Sequence, residues 1–302
     1  MNIVVVGSLN MDVVNRVEKH PLPGETIKGK GTEYIPGGKG ANQAVAASRA
    51  NASVRMVGAV GKDGFGKQLV ASLNQDGIDT TNVLVKDGTS GIAFITVNDQ
   101  GENNIILSEG ANGALTTEDI QSIADALLCD AVLVQNEIPL ETTYETIRAA
   151  RGRATRIYYN PAPAHPVPKE ILQMIDVLVL NETEASVVLN RVLTTHKEYV
   201  DAAKELVFRG AKAVILTLGP EGAIFVNEHQ SVRVPAFQVS AVDTTAAGDT
   251  FIGAFASVYK GDNAMESLRY ASAASAITVT RAGAQISIPT GQEIEEFLKR
   301  SS

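Results

Sequence analysis

Residues 131–152 read AVLVQNEIPLETTYETIRAARG, an apolar run that breaks on Gln135, Asn136 and Glu137 before a helical pattern. Ala131 to Val134 are apolar on successive residues rather than alternate ones. A strand of that kind needs cover on both faces, as strands of a parallel sheet have. From Thr143 onward Tyr144, Ile147 and Ala150 recur at helical spacing, and Gly152 ends the pattern. The same unit recurs along the chain. Apolar runs lie at 3–7 (IVVVG), 54–61 (VRMVGAVG), 156–163 (RIYYNPAP), 177–184 (VLVLNETE) and 213–219 (AVILTLG). Helical patterns lie between them at 40–50 (GANQAVAASRA), 67–77 (KQLVASLNQDG), 117–128 (TEDIQSIADALL) and 200–210 (VDAAKELVFRG). Strands alternating with helices give an α/β fold with a mostly parallel sheet and helices on both faces.

Small residues dominate two helical patterns near the C-terminus, GDTFIGAFASVYKG (248–261) and MESLRYASAASAITVTRAGA (265–284), which suits close packing on the sheet. Two stretches break the alternation, TIKGKGTEYIPGG (26–38) and NVLVKDGTSGIAFITVNDQGENNIILSEGAN (82–112). Both hold short β-prone runs between turn signals, and they predict a small antiparallel sheet. It is inserted as segments about 13–36 and 82–112 in one domain of residues 1–302, and is placed to act as a lid. In GIAFITV (91–97), Ala93, Ile95 and Val97 point one way and Ile92, Phe94 and Thr96 the other. The face turned from the site needs a cover. The simplest is the same lid of a second chain, giving a homodimer.

The chain has 302 residues, 44% of them apolar and 20% charged, with a net charge of −8. An acidic balance argues against coating nucleic acid or anionic membrane, and leaves room for a local anion pocket. No run approaches the ~18 apolar residues of a membrane span. Cys129 is the one cysteine and sits in the apolar stretch ADALLCDAVLV, so it reads as a core residue. One cysteine, and no signal peptide at MNIVVVGSLN, predict a cytoplasmic protein.

Three glycine-rich motifs compete for the chemistry. Gly61 to Lys67 (GKDGFGK) matches the first part of a P-loop, but Gln68 stands where a Ser or Thr must hold Mg²⁺. It reads as an ordinary strand-to-helix turn. No G-x-G-x-x-G follows the first strand, so a dinucleotide site has no support. GGKGANQA (37–44) opens a helix with glycines that admit a close ligand, the charge of Lys39 and the amide of Asn42. A glycine-rich helix start with no ligand would read the same. DTTAAGDTF (243–251) says more. Small residues at a helix entry leave N–H groups free to cradle an anion, and Asp249 sits inside that cradle. A capping Asp would need no such run. A phosphoryl group in transfer fits, with Asp249 taking a hydroxyl proton. The histidines, His20, His165, His196 and His229, have no metal-ligand spacing.

GGKGANQA and DTTAAGDTF, in this order and separation, resemble the signatures of the ribokinase (PfkB) family of sugar and nucleoside kinases. The likeness runs from GSLNMD (7–12) to RAGAQISIP (281–289). It implies a doubly wound, ribokinase-like α/β fold with a small β lid, ATP as phosphoryl donor, Mg²⁺, and K⁺ as an activating cation. By the same resemblance Asn10, Asp12, Gly38, Lys39, Asn42 and Glu137 hold the sugar, with Ala93 and Ile95 over it. Asp249 would be the base, and Ala246, Ala247 and Gly248 would form the anion hole. Asn181 and Glu184 match a motif that organises Mg²⁺ and the ATP phosphates. Thr217, Gly219 and Gly222 match a nucleotide-binding strand end and loop, and Ser272 stands at a position near adenine. Asp243, Thr245, Thr278, Arg281, Gly283 and Ser287 match a monovalent cation site built mostly from backbone carbonyls. The implied activity is phosphorylation of D-ribose at O5. The alternative is a sister kinase for deoxyribose, another sugar or a nucleoside.

Overall fold

The apolar runs become strands, and the patterns between them become helices. A computed structural model describes residues 1–301. The chain enters through β1 (Asn2–Val6), runs on into β2 (Asn10–Arg16) and returns along β3 (Gly31–Gly37). There follow α1 (Lys39–Arg49), β4 (Ser53–Gly61), α2 (Gly64–Gln75), β5 (Asp79–Lys86), β6 (Gly91–Val97) and β7 (Asn103–Ser108). The middle holds α3 (Thr117–Ser122), β8 (Ala131–Val134), α4 (Leu140–Arg151), β9 (Arg156–Tyr159), α5 (Lys169–Leu172) and β10 (Val177–Asn181). The last third holds α6 (Glu182–Leu189), α7 (His196–Arg209), β11 (Ala213–Thr217), β12 (Ala223–Asn227), β13 (Ser231–Val234), α8 (Ala247–Val258), α9 (Ala264–Val279) and α10 (Gly291–Arg300).

Nine strands form the main sheet in the order β13-β12-β11-β10-β9-β8-β1-β4-β5, parallel from β11 to β5. Alternate residues of β1 serve two cores. Ile3 and Val5 pack with Ala44, Phe251, Phe255 and Leu268, while Val4 and Val6 pack with Ile147 and Leu206. Small residues in the C-terminal helices do allow close approach: a Cβ on Gly253 of α8 would lie 2.5 Å from the Gln43 carbonyl oxygen of α1. Among the described residues, no helix is long and apolar enough to cross a membrane.

The second sheet has the order β3-β2-β6-β7 and differs from expectation in three ways. Its first strand begins at Asn10, so Asn10 and Asp12 are lid residues. Residues 82–86 are not: they lie in β5, which pairs with β4 at the edge of the main sheet. And β2 pairs with β6 in parallel, the other two pairings being antiparallel. Topology explains the last point. β1 and β5 run the same way in the main sheet, and each continues into a lid strand, so β2 and β6 leave it pointing the same way. A further difference is the antiparallel pair β12-β13, which extends the far edge after the turn at Asn227–Gln230. The helix expected over 117–128 ends at Ser122, and a 3₁₀ turn at Ala124–Leu127 completes it.

Candidate active site

The chemistry-bearing residues meet at the C-terminal ends of β1, β8, β10 and β11, facing the helix N-termini of α1, α6 and α8. Ligands of open α/β sheets bind at this edge. Glu137 lies just beyond β8. Its Oε2 accepts hydrogen bonds from Ser8 Oγ (2.6 Å), Lys39 N (3.0 Å) and Asn10 Nδ2 (3.4 Å), which ties β2 and the start of α1 to one carboxylate. Asn112, fully buried, donates to Asn10 Oδ1 (2.7 Å) and to the Leu9 carbonyl (3.1 Å), and accepts from Leu9 N (3.0 Å). Asp12 is buried on β2, and no hydrogen bond reaches its carboxylate from the described residues. Burial, with Glu137 and Asp249 nearby, pushes its carboxyl up to about 7. A buried carboxylate with no donor of its own is poised for a ligand that brings hydroxyls. In the lid register Ala93 lies opposite Asp12, and Ile95 opposite Val14, so both share the face of Asp12.

The glycines of GGKGANQA make room for the protein's own chain. A Cβ on Gly37 would lie 2.3 Å from Asp12 Oδ2, one on Gly38 2.8 Å from Asn10 N, and one on Gly40 2.6 Å from Ser8 N. Gly38 also has φ 92°, which an L residue rarely adopts. The motif's contribution to the site comes from its side chains. Asn42 Nδ2 donates to Asp249 Oδ2 (3.1 Å), and Gln43 Nε2 to Asp249 Oδ1 (3.0 Å). Lys39 is half-buried between the two ends of the site. Burial opposes its charge, but Asp249, Glu137 and Glu184 outweigh that and raise its pKa, so it stays a cation.

Asp249 opens α8, in its first turn. Ala246 before it takes the left-handed conformation (φ 60°), uncommon for a residue with a side chain. That turn directs Ala247 N to the Thr244 carbonyl (3.2 Å), and the first helical bond is Thr250 N to Ala246 O (2.8 Å). The amides of Gly248 and Asp249 have no acceptor among the described residues. The expected share of Ala247 is spent on Thr244, whereas the amide of Ala246, like those of Gly248 and Asp249, has no acceptor among the described residues, and all of these residues line the cleft below. Gly248 has open space where a Cβ would be.

Beside this helix end lies a cleft of about 220 Å³ bounded by Lys39, Asn181, Glu184, Thr217 and residues 246–249. Asn181 and Glu184 cap α6 reciprocally: Asn181 Oδ1 accepts from Glu184 N (2.8 Å), and Glu184 Oε2 from Asn181 N (3.0 Å). Asn181 Nδ2 and Asn160 Nδ2 also donate to Glu184. Burial still dominates and holds the Glu184 carboxyl above its usual range. Thr217 ends β11, and Gly219 and Gly222 follow in left-handed turns. A Cβ on Gly222 would meet the Val234 carbonyl at 2.0 Å, while Gly219 faces open space. Ser272 is buried in α9, and nothing in the structure ties it to the cleft.

Of the residues of the implied cation site, hydrogen bonds join Asp243, Thr245 and Gly283, and separately Arg281 and Thr278. Asp243 Oδ1 accepts from Thr245 N (2.9 Å) and Thr245 Oγ1 (2.6 Å), and its Oδ2 from Gly283 N (2.9 Å). Burial works against its charge, but these donors prevail and keep Asp243 below its usual range. Arg281 turns its guanidinium to Glu293 (2.6 Å). Thr278 and Ser287 spend their hydroxyls on the Ala274 and Ala284 carbonyls. The carbonyls of Thr245, Arg281 and Gly283 accept no hydrogen bond among the described residues.

The rejected P-loop is a turn. Asp63 caps α2 through Gly66 N (2.7 Å) and holds Ser90 by its amide and hydroxyl. Cys129 donates to the Ala131 carbonyl, and burial raises its thiol to about 11. A larger concavity, about 650 Å³, lies at the opposite end of the sheet between the C-terminus of α7 and the β12-β13 turn. It is wide but holds none of the carboxylates or helix N-termini gathered above.

Comparison with known proteins gives the family. The model of the pfkB family of carbohydrate kinases matches residues 1–291. The chain belongs to that family. It is 43% identical to a ribokinase of Schizosaccharomyces pombe, over 98% of this chain and 97% of the other. It is 37% identical to a deoxyribokinase of Salmonella typhi, over 99% of both. The structure of Arabidopsis thaliana ribokinase complexed with ribose and ATP superposes with TM-score 0.92 at 31% identity, covering 98% of each chain. Like those proteins this pfkB-family kinase has a mostly parallel sheet with a separate small one. Ser8, Gln43 and Asn112 complete its site without a sequence signal of their own: their part shows only in what they hold.

Proposed function

We propose that this kinase transfers the γ-phosphoryl group of ATP to O5 of D-ribose, giving ribose 5-phosphate. The observation that carries the reading is the place of Asp249. It stands between a sugar-sized set of carboxylates (Asp12, Glu137) and a phosphate-sized cleft at a helix N-terminus. The ribokinases among its relatives support ribose as the acceptor. In this reading Asp12 and Glu137 accept sugar hydroxyls, Asn10 and Asn42 add amides, and Ala93 and Ile95 close over the ring. Asn42 Oδ1, buried without a partner, is free to accept one more hydroxyl. Asp249 takes the O5 proton as the oxygen meets phosphorus, and the amides of Gly248 and Asp249 with Lys39 hold the charge gathering on the phosphoryl oxygens.

Among the described residues no group of three His, Cys, Asp or Glu side chains is arranged to hold a metal. Asn181 and Glu184, which line the cleft, are the residues that would hold Mg²⁺ there. When bound with ATP it supplies neutralisation of phosphate charge. The unpaired carbonyls of Thr245, Arg281 and Gly283 fit a K⁺ ion that braces the loop entering α8. Rates in KCl should exceed those in a Tris salt of equal ionic strength; equal rates count against the site. The single, half-buried thiol suits a reducing cytoplasm.

Assembly follows from the lid. Tyr34, Val13, Phe94 and Ile106 are paired in register across all four lid strands, on the face away from Asp12. Tyr34, Phe94 and Ile106 are exposed. We assign this row to contact with a second copy about a two-fold axis.

The deciding experiment is ADP release with ATP and a panel of sugars. Ribose should lead, and 2-deoxyribose should trail by the hydroxyl it lacks. A lead for deoxyribose would move this chain beside its deoxyribokinase relative.

A further inference from the structure

We propose that Gln43 is a positioning residue for the phosphoryl transfer and that Gln135 sets its orientation, as a buried amide relay running Gln135 to Gln43 to Asp249. This rests on the reading of Asp249 as the base, and adds residues that act on it from behind. Gln43 and Gln135 are both fully buried, on α1 and at the end of β8. Gln43 Nε2 donates to Asp249 Oδ1 (3.0 Å), and Gln43 Oε1 accepts from Gln135 Nε2 (2.6 Å). Neither has exposed surface and neither lines the cleft, so both act from behind Asp249.

The chemistry of the groups fixes the direction of the chain. An ionised carboxylate only accepts, so Gln43 must turn its NH₂ to Asp249. Its carbonyl oxygen then faces Gln135, which must answer with its own NH₂. Gln135 Oε1 is left buried without a partner. It lies 2.0 Å from where a Cβ on Gly7 would be, so any larger residue at Gly7 would collide with it. A buried acceptor left unpaired is costly, and the structure keeps it because reversing both amides would aim Gln43 Oε1 at the Asp249 carboxylate, acceptor against acceptor. With Asn42 on Oδ2, the relay gives each oxygen of Asp249 one amide donor. It thereby fixes the plane of the carboxylate.

Two consequences separate positioning from simple packing. Removing the Gln43 donor should loosen the carboxylate. Removing Gln135 should act only through Gln43, so the two changes should not add. The variants are Gln43→Leu, Gln135→Leu and the double variant, with Asp249→Asn as reference, assayed for ADP release with ribose. Gln43→Leu should lower kcat roughly ten- to a hundredfold, the scale of one hydrogen bond to a charge, while KM for ribose stays within about twofold. Gln135→Leu should give a smaller loss in the same direction, and the double variant should match Gln43→Leu. Calorimetric titration with ribose counts the folded sites, so kcat per binding site reports even where a variant folds poorly. A kcat per site within about twofold of the parent's in Gln43→Leu, or losses that multiply in the double variant, overturns the relay. Asp249→Asn that keeps its turnover overturns instead the reading of Asp249 beneath it.

Discussion

The main sheet and the lid carry the two halves of one site, and they are built by different means. In the main domain Asn42 and Gln43 each hold one oxygen of Asp249, at the end of a helix packed into the core. In the lid, Asp12 is buried with no donor among the described residues, on a sheet whose outer face is open. The first carboxylate is held by the fold itself. On the proposed reading, the second is completed by the sugar. Residues that do chemistry on the main domain should therefore govern kcat, and residues of the lid should govern affinity and its dependence on pH and assembly.

The sharpest contrast comes from Asp249→Asn against Asp12→Ala. Asp249→Asn should cost roughly 10²- to 10⁴-fold in kcat, the span of general-base assistance, with ribose and ATP binding little changed. Turnover within a third of the parent's would break the assignment. Asp12→Ala should instead weaken ribose binding by about 1.5–3 kcal/mol, the range for hydrogen bonds to a charged group. Calorimetry that finds equal ribose affinity would remove Asp12 from the sugar site. Because the Asp12 carboxyl lies near 7, a pH titration adds a second reading. Sugar hydroxyls donate, so the ionised form binds. Affinity should be flat above pH 8 and fall by up to about tenfold per unit below 7 in the parent, and be level across that range in Asp12→Ala.

The outer face of the lid should give a smaller effect. Phe94→Asp places a charge in the row shared with Tyr34 and Ile106. It should turn a dimer into a monomer in light scattering and raise KM for ribose about threefold to tenfold, the effect of a lid that closes less readily. A parent that is monomeric at micromolar concentration refutes the dimer. A Phe94→Asp dimer with normal KM moves the interface off the lid.

The same contrast explains what was legible in the sequence. The main sheet was, because a strand covered on both faces must be apolar throughout: Val177–Leu180 and Val214–Leu216 announce themselves. Its edges were not. β5 is half exposed, and its Asp79 pairs with Arg55 on β4, so polar residues hide a strand of the main sheet inside what read as lid. Parallel pairing of β2 with β6 joins residues some 80 apart, and no local pattern records it. In the site, Asp249 was legible as a carboxylate inside a run of small residues, while Asp12 and Glu137 were reached only through the family resemblance. Gln43, Gln135 and Asn112 were not legible, since their work is to hold other polar groups and an amide carries no mark of its partner. The glycines of GGKGANQA read two ways for a related reason: space needed by Ser8, Asn10 and Asp12 looks, in sequence, like space left for a ligand.

The smallest effect tests whether the lid is strained by its own carboxylate. A carboxyl whose pKa in the fold is above its unfolded value of 3.8 binds its proton more tightly when folded. It therefore stabilises the fold fully below about pH 4, and that contribution fades as pH rises through about 7. Above 7 the fold carries a buried anion that the lid does not satisfy. Asp12→Asn keeps the shape and removes the charge. Its Tm should match the parent's near pH 4 and exceed it by several degrees at pH 8. Ribose, at saturating concentration, should close the gap at pH 8 by raising the parent more than the variant, because the sugar supplies the donors that the lid lacks. Thermal unfolding of both proteins at the two pH values, with and without ribose, decides it. A variant no more stable than the parent at pH 8, or one that gains as much from ribose, would show that Asp12 is satisfied before the sugar arrives. The lid and the main domain would then be built alike.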